Sequence, residues 1–248
     1  MSLKAIMETV LVVGATGNIG VSAVTAALRS KRNVLAIVRN KNSADKLVKY
    51  TGSSKGITFA EADVLSDSGV KCVVDQVRAG NPGFPACVFQ RISPPPNYAT
   101  TLTSPSKPTS VSSSNLEDPT PSDISFAVAY RDTIGYLLEQ KNPASTWTIC
   151  TGSQGDLATH PVPAMTQGAL FPLTTAAARE NESTNVRFNE IYLGYRVEVD
   201  EIAVQHGTKS SDFGNVYELI LANSEVRSSR VRVDNLDDLK KLKYQKKF

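Results

Sequence analysis

Apolar residues recur along this chain in two alternating rhythms. Short runs rich in Val, Ile and Leu (VLVVG at 10–14, NVLAIVR at 33–39, GITFAEADV at 56–64, PACVFQ at 85–90) are each followed by a stretch in which apolar residues return every three or four positions. Those stretches read NIGVSAVTAALRS, SADKLVKY, DSGVKCVVDQVRAG and, after a gap, DISFAVAYRDTIGYLLEQ. STWTICTG, AMTQGALFPLTTAAARE, NVRFNEIYLG, NVYELILAN, SSRVRVD and LDDLKKLK continue the alternation to the end. Continuous apolar runs predict strands buried on both faces, and the longer period predicts amphipathic helices. Strand and helix in alternation, joined by right-handed crossovers, make an α/β doubly wound parallel sheet of about seven strands with helices on both faces. One domain over residues 1–248 is expected, with its ligand crevice at the carboxyl ends of the strands.

One segment breaks the rhythm. From Ser93 to Ser122 the chain is crowded with Pro, Ser and Thr and has no apolar period, which predicts a long loop beside the crevice, either lid or disordered segment. Composition adds exclusions. With 41% hydrophobic and 21% charged residues and a formal charge of +3, the chain has no basic face for nucleic acid and no stretch that would span a membrane. Nothing before Val10 resembles a signal peptide, so a cytoplasmic protein is expected. KKLKYQKKF near the end predicts a solvated tail. Cys72, Cys87 and Cys150 are odd in number and set far apart, which argues for buried thiols rather than disulfides. His160 and His206 lie at no metal-ligand spacing, so no metal site is expected.

The chemistry begins at GATGNIG. Gly14 would turn the chain off the first strand, Gly17 would let backbone approach a pyrophosphate, and Gly20 would let the helix pack closely on the sheet. Phosphates would then meet the free N–H groups of a helix start, with Thr16, Asn18 and Ile19 completing the turn. This spacing inside a βαβ unit predicts a Rossmann-like dinucleotide site. At the end of the second strand, where an acidic residue would select NAD, stands Arg39, and a guanidinium there suits the 2′-phosphate of NADP(H).

These residues, with Asp63 and Val64 after the third strand, resemble the short-chain dehydrogenase/reductase superfamily. TICTGSQGD followed by TQGALFPLTTAAARE is similar to the active-site strand and following helix of its single-domain members. The resemblance implies adenine contacts from Asp63 and Val64, a cofactor contact from Ser93, a nicotinamide border along Tyr192 to Val197, and a homodimer or homotetramer built on the helices after the fourth and fifth strands.

The catalytic residues depart from that pattern. The family pairs a serine with a tyrosine acid, a lysine four residues later and an asparagine in the preceding helix. Ser153 fits the serine, but Pro163 and Gln167 stand at the tyrosine and lysine, and SDISF at 122–126 covers the place of the asparagine. No tyrosine lies between Tyr136 and Tyr192 and no lysine between Lys141 and Lys209. Protonation of an alkoxide therefore lacks its usual donor. Ser153 remains to hold a substrate oxygen, Gln167 to line the pocket, His160 to stand in as acid and Asp156 to orient it. Arg131 and Tyr98 are further candidates to face the pocket, and Trp147 reads as packing. Three functions fit: an NADPH-dependent reductase of a small organic, specialised-metabolite substrate that is already activated, such as an iminium; a non-redox cyclase or isomerase on the same scaffold; and an NADP-sensing protein without turnover.

Overall fold

The computed structural model describes residues 8–85, 89–92, 121–204 and 207–248. Ser93, Tyr98 and most of the Pro/Ser/Thr-rich segment, together with Cys87 and His206, lie outside the described residues. The first half runs β1 (Thr9–Val13), α1 (Asn18–Arg29), β2 (Asn33–Val38), α2 (Lys41–Thr51), β3 (Ile57–Glu61), α3 (Gly69–Arg78) and β4 (Phe89–Ile92). Then follow α4 (Pro121–Glu139), β5 (Thr146–Gly152), the short α5 (Gln154–Leu157), α6 (Pro161–Glu180) and β6 (Arg187–Leu193). The chain continues through β7 (Val197–Glu198), α7 (Asp200–Ala203), β8 (Thr208–Lys209), α8 (Ser210–Ala222) and β9 (Ser229–Val233), and closes with β10 (Lys243–Lys246).

Eight strands form one sheet in the order β10-β9-β6-β5-β4-β1-β2-β3, and β7 pairs with β8 apart from it. Seven of the eight are parallel, and β10 runs antiparallel to β9. Side-chain alternation sorts the strands' apolar residues onto two faces. Leu11, Val13, Trp147, Ile149 and Phe188 pack beneath α3, α4 and α6. Val10, Val12, Val34 and Ala36 face α1 and α2, while Cys150, Ile191, Val231 and Val233 face α1 and α8. Trp147 is core: it stacks on Phe188 at 4.9 Å and its indole N–H donates to Thr133 Oγ1 at 3.2 Å. Strand order reverses between β1 and β4, and in open sheets of this kind ligands bind at the strands' carboxyl ends beside that reversal.

Four expectations change at the level of elements. LDDLKKLK forms no full helix: a single 3-10 turn at Leu236–Leu239, capped by Asn235, leads into β10. The terminal lysine-rich stretch is thus an eighth strand and not a free tail, because Tyr244 and its neighbours complete the open edge of β9. Pro121 and Ser122 belong to α4 rather than to the preceding loop. The stretch before Pro163 is also more ordered than a loop. Ala158 takes the left-handed conformation (φ 50°) to end α5, His160 is extended at the N-cap of α6, and Pro161 starts the helix where its missing N–H costs nothing.

Candidate active site

The glycine turn is built as its spacing predicts. Gly14 has φ 71°, a left-handed value that side chains disfavour, and Gly17 is the extended N-cap of α1. The first helical bond runs from the Val21 N–H to the Gly17 carbonyl at 2.8 Å, so the N–H groups of Asn18, Ile19 and Gly20 precede it. A Cβ on Gly20 would stand 2.1 Å from the Gly14 carbonyl oxygen, so no side chain fits there. A bare, donor-rich turn of this kind fits the diphosphate of a dinucleotide. Thr16 is partly exposed at its mouth. Ile19 adds only backbone, because its side chain is buried against Phe213 and its neighbours. Asn18 donates its side-chain amide to the Val197 carbonyl (3.1 Å) and to Glu198 (2.6 Å), tying the turn to β7.

Arg39 follows β2, is exposed, and has no ion pair among the described residues. Its neighbour Asn40 caps α2, accepting the Ser43 N–H at 3.0 Å. After β3, the Asp63 carboxylate accepts the Leu65 N–H at 3.0 Å, and Val64 packs at the edge of the core. Gly69 makes that turn possible, since a Cβ there would lie 1.8 Å from the Asp63 carbonyl oxygen. Arg131 belongs to this region. It donates to the Asp67 carbonyl (2.7 Å) and pairs with Asp132 (2.7 Å), which brackets α4 to the β3–α3 turn and spends the side chain away from Ser153.

Ser153 lies just past β5, its N–H bonded to the Leu193 carbonyl at 2.9 Å. Its carbonyl accepts the Asp156 and Leu157 N–H groups, at 3.0 and 2.8 Å, which forms α5. Gln167 reaches over the same strand end, its Oε1 3.4 Å from where a Gly152 Cβ would be. Gly155 permits close contact of α5 with α6, as a Cβ would collide with the Phe171 ring at 2.6 Å. Ser153 and Asp156 therefore sit on the β5–α5 turn against which α6, the helix carrying Gln167, packs. His160 is exposed at the start of α6, where its Nδ1 meets Thr159 Oγ1 at 3.1 Å and Thr159 donates to Gln154. Asp156 does not orient His160. Burial raises the pKa of the Tyr192 phenol, and Asp156, accepting its hydrogen bond, raises it further, so the phenol stays protonated.

A second layer behind this cluster was not legible in the sequence. Arg230 lies over the rings of Phe171 (4.8 Å) and Tyr192 (5.1 Å), and Arg232 over Tyr192 (4.6 Å). Arg230 also pairs with the buried Glu190 at 2.9 Å. Glu190 in turn accepts from Thr151 (2.7 Å) and from Lys247, whose ammonium also bonds to Thr174 at 2.7 Å. The only sequence signal was Glu190 standing at an inward position of NVRFNEIYLG. Among the described residues no group of His, Cys, Asp and Glu could hold a metal, and no helix is long and apolar enough to cross a membrane.

Residues 7–79 match the NmrA-like family, a span from the approach to β1 to the end of α3. The chain is 46% identical to the short-chain dehydrogenase/reductase iacG of Pestalotiopsis fici over 246 residues, which covers 97% of this chain and 96% of that protein. Among solved structures, an oxidoreductase from Haemophilus influenza with bound NAD superposes with a TM-score of 0.72 at 14% identity, covering 92% of this chain and 93% of the other. A variant of actinorhodin polyketide ketoreductase with NADPH superposes with a TM-score of 0.67 at 14% identity, covering 92% and 95%. Both likenesses are of fold.

Proposed function

We propose that this chain, which belongs to the short-chain dehydrogenase/reductase family, is an NADPH-dependent reductase of a small organic substrate already activated toward hydride, such as an iminium. One observation carries the reading: a bare, donor-rich glycine turn after β1 shares the sheet's carboxyl edge with β5, whose following helices, α5 and α6, contain neither tyrosine nor lysine. NADPH bound there supplies the hydride. Gly14, Gly17 and Gly20 would hold its diphosphate, and Arg39 its 2′-phosphate. Ser153 and Gln167 present a hydroxyl and an amide to the substrate, enough to orient it. A hydroxyl alone is too weak an acid to protonate an alkoxide, whereas a cationic iminium becomes a neutral amine without any proton donor. Proximity and orientation then suffice for the step.

The test is to follow loss of reduced nicotinamide with a preformed cyclic iminium and with a simple ketone. The iminium should be reduced and the ketone should not, and His160→Ala should leave the rate nearly unchanged. A rate fall of roughly a hundredfold in His160→Ala would instead make that imidazole the acid. Product formation without loss of NADPH would favour the non-redox cyclase or isomerase. Ketone reduction that survives both His160→Ala and Ser153→Ala would overturn the reading.

A further inference from the structure

Beyond the glycine turn and Arg39, a third cationic or donor element stands at the cofactor crevice. Arg196 follows β6 and precedes β7, its side chain 41% exposed. Its Nε donates to Glu198, whose side chain is only 4% exposed. The other oxygen of that carboxylate accepts from Asn18, the first residue of α1. A single carboxylate thus bridges Arg196 to the residue carrying the first free N–H of the helix. The two terminal nitrogens of Arg196 have no partner among the described residues.

A buried carboxylate beside a diphosphate site is unfavourable unless its charge is cancelled. Asn18 and Arg196 occupy both of its oxygens, and the guanidinium is left with unused donors. The backbone holds this arrangement. The Thr208 N–H bonds to the Arg196 carbonyl at 3.1 Å, and Gly207, at φ 107°, brings its α-carbon so close that a Cβ would stand 3.1 Å from that oxygen. β7 and β8 are therefore pinned to α1 through Glu198, and Arg196 is pinned through them. A planar guanidinium with free N–H groups matches phosphate oxygens in geometry and charge.

We propose that Arg196 clamps the nicotinamide-side phosphate of the dinucleotide and that Glu198 positions it. This rests on the cofactor reading above and goes beyond the glycine turn and Arg39. The experiment titrates the full chain with three probes: NADPH, 2′-phospho-ADP-ribose, which keeps the diphosphate but lacks nicotinamide, and 2′,5′-ADP, which lacks the nicotinamide-side phosphate. Arg196→Ala should weaken the first two equally, by about ten- to hundredfold, and leave 2′,5′-ADP unchanged. Arg39→Ala should weaken all three. Glu198→Gln, which retains a hydrogen-bonding oxygen for Asn18, should give a smaller loss of the same pattern. Unchanged NADPH binding in Arg196→Ala would overturn the proposal. So would a loss confined to NADPH, which would place Arg196 at the nicotinamide, or an equal loss of all three probes, which would make its role structural. If the unmodified chain binds none of the three, the cofactor reading itself fails.

Discussion

Arg39 and Gly20 show how much a single position can decide. Arg39 has no ion pair among the described residues and follows β2, where the proposed reading puts the ribose 2′-phosphate, so the unmodified chain should prefer NADPH to NADH. Arg39→Ala should lose about ten- to hundredfold in NADPH affinity and little in NADH affinity, as read by paired titrations. Gly20's close approach to the Gly14 carbonyl was legible from spacing because the turn is local in the chain. Asn18 shows where that reach ends. The turn's own residues named it, but its partner Glu198 is 180 positions away, and local pattern carries no trace of that bond. The proposed substrate-side residues were less legible: Gln167 comes close to Gly152, next to Ser153, whereas Arg131 is drawn off by Asp67 and Asp132, carbonyl and carboxylate groups the sequence could not place.

Among the elements, β10 departs furthest from its sequence. Lysines fill it, which suggested solvent, yet a buried carboxylate grips the segment near each end. Lys243 lies 2.6 Å from Asp238, and Lys247, 4% exposed, bonds to Glu190. Removing one partner of a buried pair leaves an unbalanced charge, so Lys247→Met should cost about 3 kcal/mol despite Arg230 remaining on Glu190. The expected fall in Tm is roughly 6–12 °C. Glu190→Gln with Lys247→Met should recover part of it, because neither charge is then stranded. At the other end, burial opposes ionisation of Asp238, but Lys243 and the N–H groups of Asp234 and Asn235 outweigh it and hold the carboxyl below its usual range. A folded pKa below the unfolded one means stabilisation that is complete above the unfolded value and fades as pH falls through the folded one. Asp238→Asn should flatten the acid limb of the stability profile, measured by thermal unfolding below about pH 5. The parallel strands and long helices were legible because apolar periodicity is local; β10 was not, because its stability comes from carboxylates elsewhere in the chain.

For the whole molecule, α6 offers an outward stripe of Val162, Met165, Ala169, Pro172 and Ala176, with Met165 62% exposed. Three- and four-residue spacing places these on one side of the helix. We propose that a second copy covers this stripe in a two-fold homodimer. Light scattering at micromolar concentration should give twice the chain mass, and Met165→Glu should give a monomer; a monomeric mass for the unmodified chain would remove the proposal. The fastened β10 strand has a consequence of another kind. It occupies the hydrogen-bonding edge of β9, whose SRVRV would otherwise present a ready template for strands of other molecules. Lys246, exposed at the new edge, then repels further addition there. Colloidal behaviour should therefore follow the grip on Lys243 and Lys247 more than the integrity of the core: variants that release the strand should turn turbid on storage, and faster at higher concentration, while their nucleotide cradle is still intact.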